Sequence, residues 1–314
     1  MKVLVTGAGG NLGRSAIPLL LEAGHDVRGV DFRPVELEHE ILTADVRDAA
    51  DAARAVAGVD AIVHAAALHG VHLGNWSEQD YWRTNVTATF NLFEAAHAAG
   101  VRRLVLSSTM GVYGASSQPR EDAWAVVDEQ LPTLPTDVYG LSKLLCEQLG
   151  RYYGRVCGVA TTSLRLGMFV PETFERYGFR LLFGGVDDRD VAQAVLLALE
   201  HEPAGGFDAF NVMAETPFDD AEAAALARDP APVLERHWPG CAALFAERRL
   251  DLDELVWGWA VWRVEKARRT LGYRPRHGFA EFLEALRADD RAYYPFAGLP
   301  QWGVEPEPAA AEPP

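Results

Sequence analysis

Short apolar runs alternate with longer stretches of helical period over the first half of the chain. Val3-Leu4-Val5 reads as a buried strand, and Leu12, Ile17, Leu20 and Leu21 mark a helix over 12–23. A second strand follows at 26–31, then a helix at 50–56 and a strand at 61–64. A long helix spans 79–98 and stops near Gly100. Residues 103–107 form the next strand, 138–154 a second long helix, and 160–164 another strand. Strands alternating with helices of this length predict a parallel sheet covered on both faces. The fold class expected is α/β, a doubly wound sheet.

Beyond residue 170 the pattern loosens. A helix at 191–199 is opened by Asp187-Asp188, and 207–212 is a strand. Residues 219–228 and 241–256 read as helices, separated by a break at Pro230, Pro232 and Pro239. Closing helices fall at 264–271 and 278–288. From Gly303 the chain is almost entirely Pro, Glu and Ala, which predicts a disordered tail over 303–314. The expected organisation is a nucleotide-binding domain at 1–170, rejoined by 187–213. A smaller substrate lobe takes 171–186 and 214–302. Trp257, Trp259 and Trp262 read mostly as packing within that lobe.

Composition narrows the partners. A formal charge of -16 over 314 residues disfavours nucleic acid and anionic membranes. It leaves phosphorylated ligands open, because backbone amides bind phosphate whatever the net charge. Cys146, Cys157 and Cys241 have no metal-type spacing and no even framework, so reduced thiols in a cytoplasmic protein are expected. No apolar run approaches the roughly 18 residues of a membrane span. No metal is expected; the loop histidines lack a carboxylate or thiol at ligand spacing.

The candidate chemistry begins after the first strand. In Thr6-Gly7-Ala8-Gly9-Gly10-Asn11-Leu12-Gly13 the residues Gly7, Gly10 and Gly13 let the backbone turn tightly and approach a pyrophosphate. Asp31 ends the second strand, eighteen residues past Gly13. Its carboxylate can accept from ribose hydroxyls and repels a 2′-phosphate, which favours NAD over NADP. Arg33 works against that, or is a solvated surface charge. Further on, Tyr139 and Lys143 share a helix face. An ammonium beside a phenol favours the phenolate, which makes the pair a candidate general base.

With these residues in place, the chain resembles the extended short-chain dehydrogenase/reductase family, the NAD-dependent epimerases, dehydratases and dehydrogenases, over about residues 1–290. The resemblance is carried by the glycine turn, Asp45-Val46, His64-Ala65-Ala66-Ala67, Asn85, the run Ser107-Ser108-Thr109-Met110-Gly111-Val112-Tyr113-Gly114, and Tyr139-x-x-x-Lys143. It implies a Rossmann-type fold with NAD as cofactor. Asn11 and Leu12 of the turn and Phe32 and Arg33 beside Asp31 would belong to the cofactor set, and Asp45 and Val46 would contact the adenine. His64, Ala65 and Ala66 would pass beside the cofactor, or form a buried strand end, and both readings are compatible. Asn85 is either the family's helix asparagine or a surface polar residue. Ser107 and Leu166 complete the cofactor set, with Tyr139 and Lys143 themselves. Thr109, Tyr139 and Lys143 are the implied catalytic group. Tyr113 is structural or at the edge of the cleft. The long helices at 79–98 and 138–154 resemble the family's dimer-forming pair, which implies a homodimer.

Two departures bear on substrate. Dehydratases carry an Asp-Glu pair after the catalytic Thr, where this chain has Met110 and Gly111. Nucleotide-sugar members place an Asn where Met168 stands, and only fifteen residues separate Pro171 from Asp187. That short layout is similar to the uronate dehydrogenase branch, in which an Arg binds the substrate carboxylate. Arg176 or Arg180 could serve here, or either is a surface charge. His69, His72 and Trp76 line the cleft or belong to an idle loop. The expected activity is NAD-dependent oxidation of a hydroxyl on a small sugar or sugar acid; the alternative is a nucleotide-sugar 4-epimerase.

Overall fold

The computed structural model describes residues 1–35, 39–119, 122–252 and 260–299. Its centre is a seven-stranded, all-parallel sheet in the order β3-β2-β1-β4-β5-β7-β8. The strands are β1 (Lys2–Thr6), β2 (Asp26–Asp31), β3 (Glu40–Thr43), β4 (Ala61–His64), β5 (Arg103–Thr109), β7 (Ala160–Leu166) and β8 (Phe207–Val212). Alternate side chains of each strand feed opposite faces. Val3, Val5, Ala61, Val63 and Val105 pack with Ile17 and Leu20 of α1 (Asn11–Glu22) and Val195 and Leu199 of α7 (Asp188–Glu200). Leu4, Ile62, Leu104 and Leu106 pack with α2 (Ala49–Val56), α4 (Ala88–Ala99) and α5 (Val138–Tyr152). The doubly wound α/β class expected from the periodicity is the observed one.

Both long helices contain a π-helical stretch. Glu78–Tyr81 (α3) runs through Trp82–Thr87 into α4, which ends at Gly100 in the left-handed region (φ 75°). Helix α5 continues as a π-turn over Tyr153–Cys157.

A third core lies outside the sheet. It joins Phe174 and Phe179 of α6 (Phe174–Arg180), Leu226 of α8 (Ala223–Arg228), Leu234 of α9 (Pro230–His237), Phe245 of α10 (Cys241–Arg248) and Phe282 of the closing helix α12 (Phe279–Ala288). A two-stranded parallel ribbon, β6 (Ala125–Val127) with β9 (Ala260–Trp262), edges it, and α11 (Glu265–Thr270) follows.

The expected break at Pro230 and Pro232 is helix α9 instead. Pro230 occupies its first turn, where no N–H is needed, and Asp229 caps it by accepting from Ala231 N at 3.1 Å. The helix expected over 241–256 stops at Arg248, with Arg249 in the left-handed region (φ 56°). Trp257, Trp259 and the expected tail at 303–314 lie outside the described residues.

Candidate active site

The C-terminal ends of the strands meet where the sheet order reverses, between β1 and β4. Gly7 turns the chain there at φ +68°, and a Cβ on it would stand 2.8 Å from Ala66 N. A Cβ on Gly13 would reach 2.5 Å from the Ala8 carbonyl oxygen, so the third glycine serves close packing. Helix α1 then starts at Gly10 with no side-chain cap and no acidic residue in its first turn. Its amide end is open to an anion.

A long cavity runs from this turn. Its walls are Thr6, Gly7, Gly9 to Asn11, Val30 to Arg33, Ala44 to Arg47, Ala65 to His69, and Phe169 to Pro171. At one end Asp31 accepts from Gly9 N (3.0 Å) and Arg33 N (3.2 Å). Phe32 is half exposed between two guanidiniums, Arg33 at 4.8 Å and Arg47 at 5.7 Å from the ring centroid. Arg33 is thus part of the wall rather than a remote charge. Burial pushes the Asp45 carboxyl up, but the hydrogen bonds and charge of Arg47 outweigh it and hold the group below the usual range. Arg47 and Val35 are wall residues that the sequence reading missed. Arg47 follows the Asp45-Val46 pair directly, and that adjacency was the available signal.

His64 lies behind the wall. The Thr89 hydroxyl spends its proton on the Asn85 carbonyl (2.5 Å), so His64 Nε2 donates to Thr89 (2.9 Å). The Thr6 hydroxyl then donates to Nδ1 at 2.7 Å. Burial and the Lys143 charge lower this histidine to about 3, which keeps it neutral. It ties β4 to β1 and α4, and Ala65 and Ala66 reach the cavity beside it. Asn85 is also a strut: it accepts from Leu68 N (2.8 Å) and donates to Leu68 O (3.0 Å) and Ser142 Oγ (2.8 Å). It is 1 % exposed, so neither a surface role nor direct contact with a ligand fits its position.

The catalytic candidates come together. Thr109 ends β5 and accepts from Gly111 N at 3.1 Å, while Tyr139 stands in the first turn of α5, near enough for the Thr109 hydroxyl to bear on its phenol. Lys143, one turn on, is buried and donates to the Ser107 carbonyl at 2.8 Å. The expected ammonium–phenol coupling is not what sets this site. Burial dominates and pushes Tyr139 up to about 12, with Thr109 pulling it down and Asp137 pushing it further up. Burial lowers Lys143 to about 8. The His69 ring stacks beside Tyr139 at 6.1 Å, and burial with the Lys143 charge keeps it neutral, at about 3. His72 accepts from His69 N at 2.7 Å, which fixes this loop, and Trp76 lines the same cavity.

The remaining expectations fall elsewhere. Leu166 is buried in the sheet core beside Thr109. Met168 is half-buried and bridged by its backbone to Gly184 and Val186. Arg180 is fully buried behind the cavity wall, so it is no surface charge and meets no ligand carboxylate as placed. Arg176 stays exposed on α6 and is absent from the cavity wall. The reason for both is that the segment 171–186, expected in the substrate lobe, carries helix α6 (Phe174–Arg180), which packs Phe174, Tyr177 and Phe179 into the third core.

Tyr113 is structural, part of a buried chain that fixes α5 against the sheet. Glu147 pairs bidentately with Arg165 (3.0 and 2.8 Å) and accepts from Ser108 (2.7 Å) and Ser163 (3.2 Å). Arg165 donates to the Tyr113 hydroxyl (2.9 Å), which donates to Asn211 (2.7 Å). Among the described residues no cluster of three His, Cys, Asp or Glu could hold a metal ion, and no helix is long and apolar enough to cross a membrane.

Comparison with known proteins places this geometry. The model of the NAD dependent epimerase/dehydratase family matches residues 3–176. The chain is 28 % identical to a UDP-glucose 4-epimerase of Corynebacterium glutamicum, over 88 % of this chain and 92 % of that one. It is 36 % identical to an L-arabinose 1-dehydrogenase (NAD(P)(+)) of Haloferax volcanii, over 53 % of this chain and 66 % of that one. It is 29 % identical to a uronate dehydrogenase of Pseudomonas putida, over 54 % and 62 %. The match therefore spans less than two thirds of each of these two dehydrogenases.

Proposed function

This chain belongs to the NAD-dependent epimerase/dehydratase family, and from that premise we propose that it oxidises a hydroxyl of a small sugar or sugar acid carrying no nucleotide. The glycine turn fits the cofactor, since Gly7, Gly9 and Gly10 line the cavity and the first turn of α1 is uncapped. The turn and α1 would hold the pyrophosphate and Asp31 the adenosine ribose. Bound NAD supplies the hydride acceptor and a positively charged ring.

The observation that carries the reading is the joining of Thr109, Tyr139 and Lys143 at the C-terminal ends of the strands. Thr109 orients the substrate hydroxyl by a hydrogen bond, and Tyr139 Oη takes its proton. A phenol held at about 12 is a poor base, so Tyr139 acts when further positive charge stands beside it. The nicotinamide ring would bring that charge when NAD is bound, while Lys143 holds the Ser107 carbonyl one turn along α5. His69, His72 and Trp76 form the polar and aromatic side of the cleft. Without Arg176 or Arg180 in the cavity wall, a neutral sugar fits at least as well as a sugar acid.

The match to the UDP-glucose 4-epimerase along nearly its whole length favours a second reading, epimerisation with retained NAD. Against it stand Met168 and the packed helix α6, where a nucleotide-gripping lobe would need space. We place the protein in the cytoplasm and as a homodimer. Trp82, Phe90, Leu141, Tyr152 and Val156, on α4, α5 and their π-turns, are all exposed apolar residues and support that pairing.

The test is turnover of NAD with free aldoses, uronates and UDP-sugars. Net NADH formed with a free sugar or uronate supports the main reading. Tyr139→Phe is expected to lower kcat by about 10² to 10⁴ while NADH still binds.

A further inference from the structure

A buried ion cluster braces one wall of the cavity from behind. The Arg180 side chain is 1 % exposed. Its Nη1 donates to the Val170 carbonyl and to Glu172 (3.0 Å). Its Nη2 points to the Tyr294 hydroxyl (3.3 Å), the Val186 carbonyl (3.5 Å) and Asp188 Oδ2 (3.8 Å). Asp188 is equally buried, yet among the described residues neither of its carboxyl oxygens has a hydrogen-bond partner, and Arg180 Nε has none either. One guanidinium is therefore shared unequally between two carboxylates, and Glu172 has the better share.

That sharing bears on the cavity, because Phe169, Val170 and Pro171 line it and Arg180 grips Val170. We propose that Arg180 is a positioning residue for the Phe169–Pro171 wall, and that Asp188 is a titratable competitor which loosens the wall when it ionises. The inference rests on the cofactor groove proposed above.

The charged and titratable surroundings of Asp188 are few. Arg180 faces it from α6, with Glu172 on the far side of the guanidinium. Asp187 and Arg189 neighbour it on its own helix, and Tyr294 faces it from the C-terminal segment. Asp187 is already satisfied by Arg189 (2.8 Å) and by the Tyr177 hydroxyl (2.7 Å). Among the described residues, Arg180 is thus the cation left for Asp188. Burial raises the Asp188 carboxyl to about 7, so its charge changes in the neutral range. When it is neutral, Nη1 stays committed to Val170 and Glu172. When it is ionised, its buried charge pulls the guanidinium towards itself through Nη2, and Nη1 is drawn off Val170 and Glu172.

Direct NADH binding, followed by fluorescence, tests this independently of the substrate. The wild-type Kd is expected to rise about fivefold between about pH 6 and about pH 8, within the range of coupling through packed polar networks. Lys143 titrates in the same range, so the reading is the difference between wild type and Asp188→Asn. The Asn variant keeps the shape, loses the charge, and should lose most of the rise. Arg180→Lys, which keeps the charge but not the fork, should raise Kd at both pH values. A rise undiminished in Asp188→Asn, or a wild type indifferent to pH, overturns the assignment and leaves the functional reading standing. A wild type that binds no NADH at any pH overturns both.

Discussion

Lys143 shows what the site costs the fold. It is buried, and its pKa falls from 10.5 to about 8. At pH 7 both folded and unfolded chains hold this proton, so the full penalty is present, about 3 kcal/mol by the size of the shift. It is relieved as pH rises from about 8 towards 10.5. Replacing Lys143 by Met also removes the hydrogen bond to Ser107, which offsets about 2 kcal/mol. Lys143→Met is therefore expected to melt slightly above wild type at pH 7 and to lose that advantage by about pH 10, while being inactive. Thermal melts of the cofactor-free protein check it; a variant that melts lower by the same margin at both pH values contradicts it. The residue types at this site were legible because chemistry fixes their spacing. Tyr139 and Lys143 lie one turn apart, and Gly7 must accept φ > 0. Burial was not legible: the ammonium bonds to the Ser107 carbonyl and the phenol pKa goes up, which depends on packing distant in sequence.

Helix α5 is fixed by its buried polar chain as much as by its apolar face. Glu147 is fully buried and Arg165 nearly so. Removing one partner strands the other charge, and Glu147→Leu should cost about 3–5 kcal/mol. The double variant Glu147→Leu with Arg165→Met should recover much of that, since no unpaired charge remains. Denaturation midpoints decide it, and strictly additive losses would contradict the coupling. The elements easiest to read were those with long buried periods, such as α1, α5 and the central strands. Strand β3 escaped because an edge strand is half exposed and lacks a fully buried run. Ribbon β6–β9 escaped because each strand has only three residues, and their pairing spans more than a hundred positions. Helix α9 was read as a break because proline was weighed as a breaker, while the cap at Asp229 makes its first turn a good place for one.

For the whole molecule, the proposed homodimer would set charge against apolar surface. Each chain carries -16, so two copies repel, and the exposed aromatic and aliphatic side chains of α4 and α5 must outweigh that. Light scattering at micromolar concentration should give a dimer that strengthens from low salt to physiological salt. Tyr152→Glu with Val156→Glu should give a folded monomer. A monomer at every salt concentration would remove the pairing.

Under the proposed function, Tyr139, Thr109 and Lys143 drive net oxidation of a free sugar. Its most direct test is the amount of NADH that accumulates when the protein turns over a free aldose or uronate, compared with a UDP-sugar. NADH is expected in equal amounts with oxidised sugar, and is lost in Tyr139→Phe. Interconversion of UDP-sugars with no NADH in solution, and no reaction of any free sugar, would contradict it.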